Sequence, residues 1–370
     1  MSATAGHHSD PVSVQTVVGG LNAPRGVTFD GNRNMYVAES GVTGPDPAGL
    51  TQSGRVSKYR WHRSTPSWQT GFQSLYVTED PSAPKDVLGP EGISALGGKC
   101  DEHRSCPVMM IMSESEDGIA AASGGALDAD QAGLLYRLDR GTGAASRVSD
   151  VGNQSFDWTG DHKALFPPDF PDANPYGVLV IRSHHGRVRT FVADAAANTI
   201  SEITRHGRTR VIAYIPNETA PPFRDATPTC MALGPDGMLY VATLNFVSNL
   251  FVNGPWQSNV WRVNPNANYP AAPTLWATGL TTPTACTFDE DGNFWAAEMF
   301  QPNTGGTPGD IVRIPFHHPT QLDRIGGGML PFPGGIAQGP DEAMYVTINS
   351  STAPAGTGAV VRVVTDSDHD

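Results

Sequence analysis

The stretch TTPTACTFDEDGNFWAAEMF (residues 281–300) contains a short strand pattern, a tight turn and a second strand pattern that ends at Glu298. Alternation of apolar and polar residues with a period of two is typical of β-strands. The segment APRGVTFDGNRNMYVAES (23–40) follows the same plan. Each has a proline, one variable residue, a small residue, a strand, a turn, and a strand that ends in an acid. Both stretches therefore predict β-hairpins.

This plan occurs six times along the chain. The further copies are GPEGISAL (89–96), NPYGVLVI (174–181), TPTCMALGPDGMLYVATLN (227–245) and FPGGIAQGPDEAMYVTINS (332–350). A third alternating segment follows each copy, often with arginine near its end, as in SNVWRVN (258–264), and most copies add a fourth, such as TLWATGL (274–280). Four antiparallel strands in units of about 50 residues are the signature of a propeller blade. The sequence therefore predicts an all-β, six-bladed β-propeller.

The two ends of the chain complete this prediction. The sixth unit has no strand of its own after GAVVRVV (358–364), whereas SVQTVVGGL (13–21) is a spare strand before the first unit. We expect residues 12–22 to complete the sixth blade and close the ring, because closure removes an exposed sheet edge. The prediction is one propeller domain over residues 1–370, with a tail at 365–370 and blades that start near residues 23, 89, 174, 227, 282 and 332.

Composition agrees with this architecture and excludes some functions. The chain has 41 glycines, 31 prolines and only 16% charged residues, which suits short strands joined by turns. It has no apolar run of about 18 residues that could cross a membrane. The formal net charge of -13 would repel a phosphate backbone, so we expect no nucleic-acid partner.

The compartment stays open between two alternatives. The start SATAGHHSD (2–10) lacks the charged and apolar regions of a signal peptide, so the protein is either cytoplasmic or secreted with its leader already removed. Cys100 and Cys106 lie six positions apart in a polar segment, where they form either a local disulfide or two free thiols. Glycosylation sequons fit secretion and occur at Asn153, Asn217 and Asn349. The sequence does not indicate an oligomeric state.

Two sets of residues are predicted to face one end of the central channel, which we call the mouth. In a propeller blade the first strand lines the channel, and the loops before it and after the second strand emerge at the same rim. The entrance residues, which follow each proline, are Arg25, Glu91, Tyr176, Thr229, Thr284 and Gly334. The exit residues, at the ends of the second strands, are Glu39, Glu114, Asp194, Asn245, Glu298 and Asn349.

Two apolar segments are predicted to lie at the same rim, at 156–175 and 245–257. Exposed apolar loops normally bury their side chains against another surface, so we expect these two to roof a hydrophobic cavity. The alternative is that they pack on each other or form an interface with another molecule. The residues predicted to bind a substrate are Trp158, Phe166, Phe170, Thr229, Asn245, Phe246, Phe251, Trp256, Thr284, Phe300 and Asn349.

Several of these motifs resemble the ScyD/ScyE family, propeller proteins associated with biosynthesis of the pigment scytonemin. The similarity lies in LNAPRGVTFDGNRNMYVAESG (21–41), DANPYGVLVI (172–181), TFVADAAANTISEI (190–203), RVIAYIP (210–216) and DATPTCMALGPDGMLYVATL (225–244). The resemblance implies an NHL- or gluconolactonase-like six-bladed propeller of secondary metabolism. Fungal cyclases that form tropolone sesquiterpenoids by hetero-Diels–Alder reaction look similar, which implies ring formation as an activity.

The leading hypothesis is a natural-product enzyme that promotes a ring-forming step, with dehydration, on a hydrophobic polyketide- or terpenoid-like molecule. No cofactor is expected. Confinement supplies most of the catalysis of such a step, and an acid or base assists it. Arg25 or Tyr176 would polarise a substrate oxygen, and Glu39, Glu91 or Glu298 would move the proton.

Two other functions remain alternatives. A calcium-dependent lactonase of the gluconolactonase type would use oxygen ligands from Glu39, Glu91, Asn245, Glu298 and Asn349, although a cation at Arg25 would compete with the metal. The second alternative is a non-catalytic propeller that only binds a partner. The exit acids also have a purely structural interpretation, since a carboxylate at a strand end can accept hydrogen bonds from backbone amides of the next loop.

Overall fold

A computed structural model describes residues 12–44, 49–77, 86–97, 106–166, 171–183, 185–218, 224–246, 258–267, 270–302 and 308–365. The strands form six antiparallel sheets arranged as the blades of a propeller, which confirms the predicted fold class. Strand β1 (Val12–Leu21) comes first in the chain but belongs to blade 6.

The first three blades use the following strands. Blade 1 contains β2 (Pro24–Phe29), β3 (Met35–Glu39), β4 (Gly49–Tyr59), β5 (Pro66–Val77) and β6 (Asp86–Leu88). Blade 2 contains β7 (Pro90–Ala95), β8 (Val108–Met112), β9 (Leu134–Leu138) and β10 (Ala145–Asp150). Blade 3 contains β11 (Pro175–Arg182), β12 (Val188–Asp194), β13 (Thr199–Ile203) and β14 (Thr209–Tyr214).

The last three blades repeat the four-strand order. Blade 4 contains β15 (Pro228–Leu233), β16 (Leu239–Thr243), β17 (Ser258–Val263) and β18 (Thr274–Leu280). Blade 5 contains β19 (Pro283–Phe288), β20 (Phe294–Glu298), β21 (Gly309–Ile314) and β22 (Asp323–Leu330). Blade 6 contains β23 (Ile336–Gln338), β24 (Met344–Ile348), β25 (Gly358–Thr365) and β1.

The ring is closed by the N-terminal strand, as the sequence predicts. β1 pairs antiparallel with β25, and the pairing runs from Val12 opposite Thr365 to Leu21 opposite Gly358. The last sheet therefore joins the two ends of the described chain, and its outer edge is supplied by residues from before blade 1.

Two helices stand where the sequence predicts only strands and loops. α1 (Glu116–Ser123) follows the exit of blade 2, and α2 (Val151–Asp161) leads towards blade 3. Each begins at a side chain that accepts a hydrogen bond from the first turn, Ser115 from the Gly118 amide and Asp150 from the Asn153 amide. These caps satisfy backbone donors that a helix start leaves without partners, which is why short polar segments become helical here. Neither helix in the described ranges has the length and apolar character needed to cross a membrane.

The hydrophobic core lies between neighbouring sheets rather than inside any one of them. Between blades 3 and 4, for example, Phe191 and Ile200 pack with Leu239 and Val241, and all four are fully buried. Each blade buries both faces in this way, so its central strands are apolar on both sides.

The face opposite the mouth carries the turns between first and second strands and between third and fourth strands. There an aspartate of the first turn accepts a hydrogen bond from a tyrosine of the second strand and pairs with an arginine of the third. Asp236 does so with Tyr240 and Arg262, and Asp341 does so with Tyr345 and Arg362. This tie accounts for two of the arginines that recur near the ends of the third-strand motifs.

The first strands of neighbouring blades approach so closely that some positions accept only glycine. A Cβ at Gly177 would lie 2.5 Å from the Thr229 carbonyl oxygen, and one at Gly26 would lie 2.6 Å from the Glu91 carbonyl oxygen. Real Cβ atoms do not come that close to backbone, so a larger residue would push two blades apart. In blades 1, 2, 3 and 6 the small residue of the repeat is therefore glycine because of contact between blades.

We expect Gly177→Ala to lower the free energy of unfolding by about 1–3 kcal/mol, because the new methyl group meets backbone that cannot yield. Gly71→Ala is the control, since no atom lies within 4 Å of a Cβ placed there in β5. That change should alter stability by no more than about 0.5 kcal/mol. Urea unfolding of both variants measures the difference, and equal values would contradict the packing argument.

Candidate functional site

The entrance residues are set apart from the rest of each first strand by a break in pairing. In blades 1, 3, 4 and 5 the proline and the small residue pair with the second strand, and the residue between them is skipped. In blade 2 the shift spans Pro90 to Ile93 and leaves Glu91 unpaired. Such a bulge adds one residue to a strand and redirects its side chain. The bulges thus present the entrance side chains to the channel.

A cavity of about 80 Å³ lies where these strands meet on the propeller axis. The entrance residues that line it are Arg25, Glu91, Tyr176, Thr229 and Thr284. Since one water occupies about 30 Å³ in the liquid, the cavity has room for a functional group rather than a whole ligand. It is suited to hold the oxygenated end of a larger molecule.

Arg25 and Glu91 form a buried pair with spare hydrogen-bonding capacity. Arg25 Nε lies 3.7 Å from Glu91 Oε2, and neither atom has a hydrogen-bond partner in the described part of the chain. Both side chains are at least 95% buried. Buried polar atoms normally have hydrogen-bond partners, so an unpartnered donor and acceptor on two residues that line a cavity indicate a place for a bound polar group.

The rest of the Arg25 guanidinium is held by blade 1. Its Nη2 donates to Asp86 Oδ1 at 2.6 Å and to the Val87 carbonyl oxygen at 3.1 Å. Asp86 is the first residue of β6, the extra fifth strand of that blade, and it also accepts from the Ser351 hydroxyl at 3.1 Å. The guanidinium is therefore fixed in orientation, and Asp86 offsets most of its charge.

Burial changes the acidity of the groups beside Arg25. It raises the pKa of Glu91 to about 7, although the Arg25 charge opposes the shift. The Ser40 hydroxyl donates to Glu91 Oε1 at 3.2 Å. Burial likewise raises the pKa of Tyr176, which therefore stays a neutral hydroxyl. Near neutral pH Glu91 is thus present both as acid and as base, as proton transfer requires.

The two entrance threonines bind backbone of the next blade. Thr229 Oγ1 donates to the Pro283 carbonyl oxygen at 2.7 Å, and Thr284 Oγ1 lies 2.8 Å from the Gly334 carbonyl oxygen. Beside them a disulfide joins Cys230 to Cys286 and links the first strands of blades 4 and 5. This side of the cavity is therefore built of links between blades, and its polar groups are already in use.

The disulfide between Cys230 and Cys286 is not predicted from the sequence, where only the spacing of Cys100 and Cys106 suggests a pair. Cys106 is disulfide-bonded, which contradicts the alternative of two free thiols. Cys100 lies outside the described residues, so the alternative of a local disulfide stays a prediction.

Glu39 and Glu298 are structural carboxylates by their contacts. Both are fully buried. Glu39 accepts two hydrogen bonds from Arg55, at 2.6 and 2.7 Å, and one from the Asn22 amide at 2.8 Å. Glu298 accepts from the Thr281 amide at 2.5 Å and from Arg324 at 3.2 Å. Their oxygens hold the loop that enters the first strand, which favours the structural interpretation of both carboxylates, and their predicted part in proton transfer stays a prediction.

Two other exit residues repeat this arrangement. Asp194 Oδ1 accepts from the Asn174 amide at 2.9 Å, and Asn245 Oδ1 accepts from the Asp225 amide at 3.1 Å. Each keeps one buried side-chain atom without a partner among the described residues, Oδ2 of Asp194 and Nδ2 of Asn245. Asn349 instead donates to the Thr357 carbonyl oxygen at 2.8 Å. The structural interpretation of the exit residues thus holds in blades 1, 3, 4 and 5.

Glu114, the exit residue of blade 2, differs from these four. Its backbone amide, rather than its side chain, bonds to Asn174, and its φ of 63° lies in the left-handed region. Burial raises its pKa to about 8, and the nearby Asp172 and Asp194 add to the shift. Glu114 is predicted at the mouth but is not among the predicted catalytic residues. A capped helix follows it directly, and the strand pattern of the sequence does not reveal that helix.

The predicted apolar roof divides into two parts. Trp158 and Phe166 pack with Tyr214, at ring distances of 6.1 and 5.9 Å, and so lie against the outermost strand of blade 3. This is a correction, because the sequence analysis placed both rings over the channel. α2 carries Trp158 outward instead.

The second part borders the mouth along blades 4 to 6. The Phe246 and Phe300 rings lie 6.0 Å apart, and Phe300 and Phe332 lie 6.4 Å apart. These residues follow the exits of blades 4 and 5 and precede the entrance of blade 6. The other predicted members, Phe170, Phe251 and Trp256, lie outside the described residues.

A calcium ion does not fit the predicted ligand set. Glu39 and Glu298 already pair with arginines, and Arg25 occupies the channel beside Glu91. Within the described ranges, no three His, Cys, Asp or Glu side chains are grouped so that they could hold a metal ion.

Comparison with solved structures supports the fold. Streptogramin B lyase matches with a TM-score of 0.50 at 11% identity over 98% of this chain and all of that one. Luciferin-regenerating enzyme matches with a TM-score of 0.51 at 12% identity over 96% of each chain. Regucalcin, a calcium-binding protein from Agrobacterium tumefaciens, matches with a TM-score of 0.50 at 14% identity over 96% of this chain and 95% of that one.

No family model matches the sequence, and no curated protein does. Identities this low show a shared propeller architecture and leave the chemistry to the site itself.

We expect Glu39→Gln and Glu91→Gln to affect stability in opposite ways. Glu39→Gln leaves Arg55 without its buried partner and should cost about 1–3 kcal/mol of unfolding free energy at any pH near neutrality. Glu91 has a folded pKa above its unfolded value, so the wild type binds an extra proton when folded and loses stability as pH rises from about 4.5 to about 7.

Glu91→Gln should remove this pH dependence, and the variant should gain on the wild type by up to about 3 kcal/mol across that interval. Urea unfolding at several pH values measures both effects. A Glu91→Gln variant that loses as much stability as Glu39→Gln at every pH would contradict the assignment.

The disulfide between blades 4 and 5 should contribute strongly to stability, because it closes a loop with a sequence separation of 56. We expect the double change Cys230→Ala and Cys286→Ala to lower unfolding free energy by about 2–5 kcal/mol. Unfolding of the variant with and without reductant separates this effect from that of the Cys106 disulfide. Unchanged stability in the double variant would show that the threonine bonds alone hold the two blades.

Proposed function

We propose that the protein is an enzyme that binds the oxygenated end of a hydrophobic small molecule in the channel and moves a proton with Glu91. The observation that carries the proposal is the buried pair of Arg25 Nε and Glu91 Oε2. Neither atom has a hydrogen-bond partner in the described ranges, and both residues line the cavity. A carboxyl group whose pKa lies near the working pH can both accept and give a proton.

The environment favours a neutral carbonyl or hydroxyl group over an anion. Asp86 already offsets the Arg25 charge at 2.6 Å, and Glu91 adds negative charge whenever it is ionised. An entering carboxylate would meet a site with no net positive charge and would lose its hydration shell. A ketone oxygen could accept from Arg25 Nε, and the Tyr176 hydroxyl lies in the same cavity.

The proposed reaction is a dehydration followed by ring closure. One oxygen of the protonated Glu91 carboxyl gives its proton to a substrate hydroxyl, and the C–O bond electrons leave with the water that forms. In the same step the other Glu91 oxygen takes a proton from the carbon between the hydroxyl-bearing carbon and the carbonyl, and those C–H electrons become the new double bond. The alkene closes a ring by cycloaddition within the same molecule, which neither adds nor removes atoms. Glu91 ends in its starting state, so no redox cofactor takes part.

The apolar border of the mouth supports a hydrophobic substrate. Phe246, Phe300 and Phe332 form one row of rings at the ends of blades 4 to 6 that border the mouth. Such a wall would fold a polyketide- or terpenoid-like chain over the polar group it has inserted, and confinement of this kind can supply most of the rate of a cyclisation. Together with the ScyD/ScyE resemblance, this supports a cyclase or lyase of natural-product biosynthesis. A calcium-dependent lactonase and a propeller that only binds remain less supported alternatives.

A panel of neutral hydrophobic β-hydroxy ketones tests the proposal, with dehydration and exchange of carbon-bound hydrogen in D₂O followed by NMR. We expect Glu91→Gln to lower turnover about 10²- to 10⁴-fold. Activity should fall as pH rises above about 7, where Glu91 loses its proton.

Glu290→Gln is the matched control, since this exposed carboxyl lies in a turn on the opposite face and should leave turnover unchanged. Turnover that survives Glu91→Gln would contradict the assigned role. Binding of a panel member with no turnover in the wild type would favour the binding-only alternative.

A further inference from the structure

A second site candidate lies on the face opposite the mouth, in the groove between blades 6 and 1. Its cavity has a volume of about 320 Å³. We call it the basic groove and define it by its main lining residues, Phe29, Trp61, Tyr345, Arg60, Arg63 and Arg362. The turn between β4 and β5 supplies the sequence Arg60-Trp61-His62-Arg63.

The aromatic part of this groove is architectural. Phe29, Trp61 and Tyr345 pack with ring distances of 4.9, 5.8 and 5.9 Å. The corresponding junction between blades 4 and 5 has Phe288, Phe316 and Tyr240 at 5.2, 5.8 and 6.1 Å. The propeller thus builds the same aromatic trio at two junctions, and the trio alone indicates no ligand.

Charge distinguishes the two grooves. The groove between blades 4 and 5 is lined by Asp289, Glu290 and Asp291 and has no arginine in its lining. The three acids lie in the turn between the first and second strands. In the turn between the third and fourth strands, where the basic groove carries Arg60 and Arg63, the other groove is lined by His317 and His318. The chain as a whole has a net charge of -13. The fold therefore does not require these two cations.

Arg60 and Arg63 are exposed, and neither side chain has an ion-pair or hydrogen-bond partner within the ranges that the structure describes. The carboxylate in the groove, Asp341, is already engaged by Arg362 at 2.6 Å and by the Tyr345 hydroxyl at 3.3 Å. Two positive charges are thus left over beside an aromatic wall. Such an arrangement favours a ligand that is both planar and negatively charged.

We propose that the basic groove binds a small aromatic carboxylate, with its carboxylate on Arg60 and Arg63 and its ring against Trp61. Guanidinium groups match a carboxylate with two parallel hydrogen bonds, and they also stack on flat rings. A volume of about 320 Å³ lies at the lower end of the range for ligand pockets, which corresponds to a molecule of one or two rings. This site is separate from the channel and does not depend on the function proposed above.

Calorimetry with 2-naphthoate, and with 2-naphthamide as the neutral isostere, tests this binding. We expect naphthoate to bind, and naphthamide to bind at least about tenfold more weakly, because it cannot form charge-assisted bonds. The double change Arg60→Ala and Arg63→Ala should weaken naphthoate binding by about tenfold per arginine.

The matched control is Arg205→Ala with Arg208→Ala, which removes two exposed arginines from the equivalent turn of blade 3. It should leave the affinity unchanged. Equal loss in the control, equal affinity for acid and amide, or no binding to the wild type would each overturn the proposal. A further variant of the full chain changes Asp366, Asp368 and Asp370 to Asn. If naphthoate binds only to that variant, the acidic segment competes for the groove in the wild type, and this result would also overturn the proposal.

Discussion

Close contact between the first strands of adjacent blades is the constraint on which the rest of the structure depends. The strands meet so tightly on the axis that the small residue of one blade faces the backbone carbonyl of the next, as Gly177 faces Thr229. The same region holds the bulge that leaves the preceding residue unpaired. A requirement of packing thus determines where variable side chains can enter the channel, and it gives the protein one cavity with one residue from each of several blades.

The repeat supplies many positions at the mouth, and architecture uses most of them. Exit residues such as Glu39 and Glu298 hold the entering loop, and Thr229 and Thr284 tie one blade to the next. In blades 1 to 3 no entrance side chain in the described ranges donates to backbone of the next blade, and Glu91 instead accepts from the Ser40 hydroxyl of blade 1. Arg25, whose partner Asp86 comes from the extra strand of blade 1, faces the cavity there with Glu91 and Tyr176. We therefore propose the function at the entrance residues of blades 1 to 3, where fewer side chains are needed to hold neighbouring blades together.

Periodicity was sufficient to predict the propeller and its closing strand, because strand alternation and repeat length are properties of the chain itself. The site was only partly predictable. The motif located the entrance and exit residues, but whether a carboxylate such as Glu298 is free depends on Arg324, 26 positions away in another strand. The disulfide was accessible in principle, since Cys230 and Cys286 lie two and three residues after their prolines in consecutive repeats. The outward direction of Trp158 could not be predicted from the sequence, because it follows from a helix that the strand pattern did not reveal.

The central claim is that Glu91 exchanges a proton near neutral pH because burial outweighs the effect of Arg25. The most direct test is an infrared titration of the wild type from which the spectrum of Glu91→Gln is subtracted, so that only this carboxyl contributes. The account predicts a protonated carboxyl band that disappears with a midpoint at a pH of about 7. A midpoint at or below the ordinary glutamate pKa of about 4.3 would show that Glu91 is a permanent ion-pair partner of Arg25, and would contradict the account.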